Sequence, residues 1–211
     1  MSEQRPPRPK DLGELSSTAV LLIECQEGVL GTGSVLPDLA DAARPIVPAL
    51  ARLAEGARAV GARLAHVTFE GLSWDYPAPR NAPLWRVAGA ALGWGPGHPA
   101  AAVIAEVGVA PGDLVMPRHH GLNPMRGTEV LPVMRALGVT TLVVAGVSTN
   151  VAIPAVVTDA VNEGFRVVVP SDAVAGTPPE YSAAVVRHTL AVLATITTVD
   201  ELLGHWGRPA D

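Results

Sequence analysis

Short β-branched apolar runs alternate along this chain with longer segments of helical periodicity. The apolar runs cover residues 18–25, 62–69, 113–116, 140–145, 165–169 and 194–197. Strands that alternate with helices form βαβ units, and right-handed crossovers then build a parallel sheet covered on both faces. The pattern predicts a single-domain α/β protein, a doubly wound six-stranded parallel sheet in order 3-2-1-4-5-6 with helices on both faces.

Helical patterns and an irregular insertion occupy the segments between these runs. The helices are predicted over residues 39–59, 128–137, 149–163 and 178–193, with a last helical turn at 199–203. Residues 77–99 are rich in Pro, Gly, Trp and Arg, a composition typical of a functional lid or an interface. The proline-rich, charged residues 1–15 are predicted to form a flexible arm, and residues 16–211 one domain.

Composition excludes several classes of function. The net charge of −5 offers no basic surface for nucleic acid or for an anionic membrane. The chain has no G-x-G-x-x-G after a strand, no phosphate-binding P-loop and no H-E-x-x-H, so we expect neither a cofactor nor a metal. A single cysteine, Cys25, excludes an internal disulfide and favours a reducing, cytoplasmic location.

The fourth apolar run turns sharply at Gly146 into a helix. Such a turn lies at the carboxyl edge of a parallel sheet, where α/β proteins bind their ligands. The free N–H groups in the first turn of the helix suit an anion. A nucleophile would be expected at the apex of this turn, yet the residue there is Ala152.

Three sequence blocks resemble the isochorismatase-like, or cysteine hydrolase, superfamily. They are the strand-one block 19–26, the block from Gly112 through 125–131, and the block 138–152 with the segments that follow it. Each block alone is a weak signal, but all three occur in the expected order and at the expected separations. The resemblance spans nearly the whole chain and implies the same α/β fold.

The resemblance also implies positions for the catalytic residues. Members typically use an Asp–Lys–Cys triad to cleave amides, and here the aspartate falls on Glu24 and the cysteine on Ala152. The lysine falls on His119, or on Arg118 or His120 if the loop has shifted. An oxyanion hole would use the N–H groups of Ser148 and Ala152, beside a non-proline cis bond between Val147 and Ser148.

Because alanine carries no nucleophilic atom, a thioester at residue 152 is excluded. Cys25 is no substitute, since neighbouring strand residues point to opposite faces and Cys25 is expected to be a buried structural thiol. Isochorismatases offer a precedent: they cleave a vinyl ether and do not require the cysteine. In this chain Glu24 would be the acid and His119 its polarising partner.

These observations lead to two hypotheses of function. The first is a small-molecule hydrolase that acts on a vinyl ether or an activated carbonyl by acid/base chemistry. Its expected substrate-binding residues are Gln26, Arg80, Trp85, Arg86, Arg118 and His120. The second is a non-catalytic scaffold for ligand binding or assembly. The resemblance further suggests a homo-oligomer, a dimer or a tetramer.

Overall fold

A parallel β-sheet forms the centre of the molecule. The computed structural model describes residues 10–72 and 79–207. The strands within these residues are β1 (Thr18–Ile23), β2 (Arg63–Phe69), β3 (Leu114–Arg118), β4 (Thr141–Val147), β5 (Arg166–Pro170), β6 (Val174–Ala175) and β7 (Thr195–Thr197). Every pairing between them is parallel, as expected from βαβ connections.

The strand order is β3-β2-β1-β4-β5-β7, which confirms the predicted order because β7 is the sixth run of the sequence. The two-residue strand β6 was not predicted, and it pairs only with the end of β4. The chain reverses its direction of winding between β1 and β4. The ends of these two central strands therefore border the crevice where ligands of such folds bind.

Helices cover both faces of the sheet. They are α1 (Glu27–Leu30), α2 (Pro37–Ala43), α3 (Val47–Ala59), α4 (Trp85–Ala88), α5 (Val130–Ala136), α6 (Ala152–Asn162), α7 (Pro179–His188) and α8 (Val199–Trp206). The predicted helix 39–59 is divided into α2, a 3-10 turn at Arg44–Ile46, and α3. Pro45 and Pro48 explain the division, because proline lacks the N–H that a helix interior requires.

Two apolar cores lie on opposite sides of the sheet. One packs Val20 and Leu22 of β1 against α3 and α8, and includes Leu50 and Leu202. The other packs Leu21 and Ile23 against α5 and α6. All six residues of β1 are buried, as expected for a central parallel strand covered on both faces.

Part of the predicted arm packs on the domain. Leu12 is buried, Asp11 forms an ion pair with Arg166, and Lys10 pairs with Glu201 of α8. The rest of the arm, residues 1–9, lies outside the described residues, as do residues 77–78 of the insertion. None of the helices in the described ranges has the length and apolar character to cross a membrane.

Candidate functional site

The turn between β4 and α6 is fixed in place by Gly146. This glycine has φ +104°, and a Cβ added to it would lie 2.2 Å from the Ile23 carbonyl oxygen. No side chain fits there, so the close approach of the turn to the end of β1 requires glycine. The Val147–Ser148 peptide bond that follows is cis, as the resemblance implied.

Two backbone N–H groups of this turn have no hydrogen-bond acceptor among the described residues. Within residues 10–72 and 79–207, no acceptor is recorded for the N–H groups of Ser148 and Ala152. The Ser148 carbonyl, by contrast, accepts from the N–H groups of Val151 and Ile153. Ser148 and Ala152 both line a cavity, so their free donors are available to an oxygen atom of a ligand.

Thr149 and Asn150 hold the turn against the segment that leads into α7. The Thr149 hydroxyl donates to Ser182 Oγ at 2.9 Å. The Asn150 amide group donates to the Thr177 carbonyl at 2.6 Å and accepts from the Thr177 N–H at 2.9 Å. Neither residue caps α6, which begins at Ala152 without a side-chain cap.

Glu24 follows β1 directly and lies at the floor of the crevice. It has φ +53°, an uncommon conformation for a residue with a side chain, and its N–H donates to the Val67 carbonyl at 2.8 Å. Its carboxylate accepts a hydrogen bond from Arg118 Nη2, and its side chain is 16% exposed. Burial raises the pKa of Glu24, and the Arg118 guanidinium offsets only part of that rise.

Arg118 is the last residue of β3 and is buried, with 6% of its side chain exposed. Its guanidinium lies 4.7 Å from the centre of the Phe69 ring, in the geometry of a cation–π contact. Nη2 donates to Glu24, whereas Nε and Nη1 are buried and have no acceptor among the described residues. Arg118 is therefore a buried cation with hydrogen-bonding capacity left over.

The Glu24–Arg118 pair borders two adjoining chambers. The turn chamber, about 220 Å³, is lined by Glu24, Leu36, Leu39, Leu84, Arg118, Leu122, Ser148, Asn150, Val151, Ala152 and Thr177. The tryptophan chamber, about 60 Å³, is lined by Glu24, Val29, Val35, Leu36, Phe69, Leu84, Trp85, Ala88, Ala91, Trp94, Arg118 and Leu122. Among residues 10–72 and 79–207, no bulky side chain fills the turn chamber beside Ala152.

A family model described as an isochorismatase domain matches residues 18–201, nearly the whole chain. The chain belongs to the isochorismatase family. It is 28% identical over 191 residues to the uncharacterized isochorismatase family protein YecD of Escherichia coli O157:H7, covering 89% of this chain and 95% of that protein.

Solved structures of the family share the fold. An isochorismatase family protein from Desulfovibrio vulgaris superposes with a TM-score of 0.77 at 25% identity, over 91% of this chain and 99% of that one. An isochorismatase-like hydrolase from Alkaliphilus metalliredigens gives a TM-score of 0.73 at 20% identity, over 90% and 99% of the two chains.

His119 is not the partner of Glu24 in this family member. It is exposed, and its Nδ1 lies 2.6 Å from the Glu70 carbonyl oxygen. His120 is exposed as well, and neither histidine lines a chamber. Arg118, one of the two alternatives for the lysine position, therefore lies beside Glu24 in place of His119, because β3 continues two residues beyond its predicted end at Met116.

Gln26 has a structural position instead of the expected substrate-binding one. It is fully buried, and its Nε2 donates to the carbonyls of Phe69 and Ala101, both at 2.8 Å. Its Oε1 accepts from the Phe69 N–H at 2.7 Å. Both N–H donors of the side-chain amide are thus used to join the ends of β1 and β2 to the 3-10 turn Pro99–Ala101.

Cys25 is a buried free thiol, as expected, and burial raises its pKa to about 12. At such a pKa the thiolate is not populated near neutral pH, and Cys25 cannot replace the missing nucleophile.

Three residues of the insertion, Arg80, Trp85 and Arg86, were expected to contact substrate, and of these Trp85 alone lines a chamber. Trp85 is buried against Phe69, with ring centres 6.4 Å apart, and it lines the tryptophan chamber. Arg80 and Arg86 are exposed and line neither chamber, so their predicted contact with substrate is not seen.

Leu36, Leu84 and Leu122 also line both chambers, and sequence reasoning missed them. Apolar residues in loops carry no pattern that separates a ligand pocket from an ordinary core.

The described ranges contain no cluster of side chains suited to binding a metal ion. No group of three or more His, Cys, Asp or Glu side chains there is arranged to hold an ion.

Proposed function

We propose that this protein is a small-molecule hydrolase that works by acid/base chemistry without a covalent intermediate. One observation carries the proposal: the Glu24–Arg118 pair and the free N–H groups of Ser148 and Ala152 border the same chamber. The chamber therefore combines a proton-transfer group with donors for a developing negative charge. Membership of a family that includes a protein described as an isochorismatase-like hydrolase supports the same conclusion.

For a vinyl ether, Glu24 acts as a general acid. Its carboxyl proton moves to the enol carbon, and the ether oxygen helps to stabilise the resulting oxocarbenium ion. Water adds to that cation and returns a proton to the Glu24 carboxylate, after which the hemiketal separates into a ketone and an alcohol. The raised pKa of Glu24 supports this role, because it keeps the acid form present at higher pH.

For an activated carbonyl, Glu24 acts first as a general base. It takes a proton from water while the water oxygen attacks the carbonyl carbon. The carbonyl oxygen gains the negative charge and accepts hydrogen bonds from the N–H groups of Ser148 and Ala152. As the carbon–heteroatom bond breaks, Glu24 returns the proton to the leaving group, and no bond to the protein forms.

A panel of vinyl ethers, esters and amides tests the proposal, with Glu24→Gln as the decisive variant. General acid–base catalysis contributes about 10²–10⁴ in rate, so kcat/KM should fall by about that factor. Glu106→Gln is the matched control, because Glu106 is an exposed carboxylate that lines neither chamber. Turnover by Glu24→Gln at the wild-type rate would overturn the proposal.

The alternative is a scaffold that binds a ligand without converting it. It is favoured by one feature, the ion pair that already ties Glu24 to Arg118 in the absence of any nucleophile at residue 152. Saturable binding of panel compounds without turnover of any of them would support the scaffold.

A homo-oligomer and a cytoplasmic location also remain predictions. Light scattering on the purified full chain tests the oligomer, with a mass of a dimer or tetramer expected and a monomer of 21.7 kDa contradicting it.

A further inference from the structure

We infer that the substrate is an uncharged, hydrophobic molecule with one oxygen function beside a branched-alkyl or aryl tail. The inference rests on the proposed function, since it names the substrate class of the same site. It follows from four properties of the two chambers: their charge, their free donors, their volumes and the identity of their walls.

The charges that line the chambers cancel. Of the lining residues that the structure describes, only Glu24 and Arg118 are charged, and they are paired with each other. A ligand carboxylate would enter a site of zero net charge and would compete with Glu24 for the guanidinium. Burying such an anion without a cation of its own is costly. A dicarboxylate, which needs two partners, is disfavoured further.

The free donors select an oxygen atom. Arg118 Nε and Nη1 are buried without acceptors within the described ranges, and the N–H groups of Ser148 and Ala152 also have none there. A buried donor without a partner is unfavourable, because it has lost its hydrogen bonds to water and gained none from the protein. A carbonyl or ether oxygen placed between Arg118 and the turn relieves that cost without adding a charge.

The volumes fix the size of the ligand. An apolar cavity of about 150 Å³ holds a benzene molecule, so the turn chamber, about 220 Å³, accepts one ring-sized group with its functional group. The tryptophan chamber, about 60 Å³, accepts only a short branch. A large or extended polar substrate would reach beyond this pair of spaces.

Aromatic and aliphatic side chains form the walls of the tryptophan chamber, and its shape depends on close packing behind them. Trp94 lies against Gly28, where an added Cβ would be 2.3 Å from the indole ring. Trp85 is held by Phe69. Apart from the Glu24–Arg118 pair, every described lining residue here is apolar, so this chamber selects hydrocarbon.

Binding measured on the wild-type protein tests the inference without requiring turnover. The probes are 3-methylbutanamide and 2-phenylacetamide, each compared with the carboxylate of the same carbon skeleton, and acetamide as the tail-less control. We expect each amide to bind about tenfold or more tightly than its carboxylate, because the charge is not compensated. We also expect both amides to bind more tightly than acetamide.

A matched pair of variants tests the role of the tryptophan chamber in binding the hydrophobic tail. Ala88→Leu places extra atoms in the tryptophan chamber, whereas Ala90→Leu is in the same insertion but exposed and outside both chambers. Ala88→Leu should weaken 3-methylbutanamide about tenfold with little effect on acetamide, and Ala90→Leu should change neither. Thermal unfolding of both variants verifies that they are folded.

Carboxylates that bind as tightly as their amides, or equal effects of the two leucine variants, would overturn the inference. Failure of all four tailed probes to bind would overturn it as well. Binding of the amides without turnover of any neutral substrate leaves the inference standing and refutes the proposed function. Turnover of anionic substrates, without turnover of any neutral one, would support the proposed hydrolase function and overturn the inference that the substrate is uncharged.

Discussion

Glu24 is subject to two opposing effects, and their balance decides its chemistry. Desolvation favours the neutral carboxyl group, while the Arg118 guanidinium favours the carboxylate. Desolvation is the larger effect, so the pKa of Glu24 lies above its ordinary value.

Gln26 supplies a prediction at the same scale. Gln26→Leu keeps the approximate volume but removes the amide that serves Phe69 and Ala101. Buried backbone groups left without partners cost about 1–3 kcal/mol each, so we expect the free energy of unfolding to fall by about 3 kcal/mol. Urea denaturation measures this change. Unchanged stability with a raised KM would instead indicate that Gln26 binds substrate.

The choice between His119 and Arg118 as the neighbour of Glu24 depends on where β3 ends. Proline interrupts a strand pattern, so the sequence predicts that β3 stops before Pro117. However, β3 is an edge strand, with a neighbouring strand on one side only. An edge strand tolerates proline, which has no N–H to donate, and so β3 continues to Arg118. That extension places Arg118, and not His119, beside Glu24. The sequence already offered Arg118 as an alternative to His119, and the edge position of β3, which follows from the sheet order, was the signal that could have favoured it.

At the scale of elements, the turn between β4 and α6 requires glycine at residue 146. Gly146→Ala would place a Cβ 2.2 Å from the Ile23 carbonyl oxygen, in a conformation with φ +104°. Gly138→Ala is the matched control, because its φ is +72° and a Cβ there meets nothing within 4 Å. The left-handed backbone alone costs about 1–2 kcal/mol.

We therefore expect Gly138→Ala to lose about 1 kcal/mol of unfolding free energy and Gly146→Ala to lose clearly more, with loss of turnover. Denaturant titration of both variants, with turnover measured on the best panel substrate, makes the comparison. Equal destabilisation of the two would show that the contact with Ile23 is unimportant.

For the whole molecule, stability in acid depends on a buried group that lines neither chamber. His66 in β2 is fully buried, with Nε2 3.2 Å from Asp113 Oδ2, and Asp113 also pairs with Arg58 at 2.6 Å. Burial lowers the pKa of His66, and the hydrogen bonds from Arg58, Ala110 and His66 lower the pKa of Asp113.

Because the unfolded chain binds a proton at His66 more readily than the folded chain, stability is lost as pH falls below about 6.5. Asp113 adds a further loss at lower pH, as its folded-state carboxylate becomes protonated. His66→Asn keeps a donor but does not titrate, so its stability should stay level through the first window. Denaturation at a series of pH values measures this, and the imidazole NMR signal of His66 in the wild type tests it independently. Parallel losses in both proteins below pH 6.5 would contradict the assignment.

The fold was largely predictable because the periodicity of buried strands and amphipathic helices reports burial directly. The short strand β6 was missed because two residues are too few to show a hydrophobic period. The segment 39–59 was predicted as one helix because Pro45 and Pro48 were taken to be compatible with a continuous helix. Within the site, the sharp turn at Gly146 was predictable from the sequence pattern, and the cis Val147–Ser148 bond was predictable from the family resemblance. The site was not predictable at the end of β3, where a shift of one residue decides whether Arg118 or His119 lies beside Glu24.

The measurement that tests the central claim most directly is the pH dependence of kcat/KM for the wild type and for Glu24→Gln on the same substrate. The wild type should show a titration with an apparent pKa above the ordinary glutamate value of about 4.3. Activity should fall as pH rises through it if Glu24 is the acid, and should rise if Glu24 is the base. The residual activity of Glu24→Gln should lack that titration. A variant that keeps both the titration and the wild-type rate would show that the chemistry lies elsewhere.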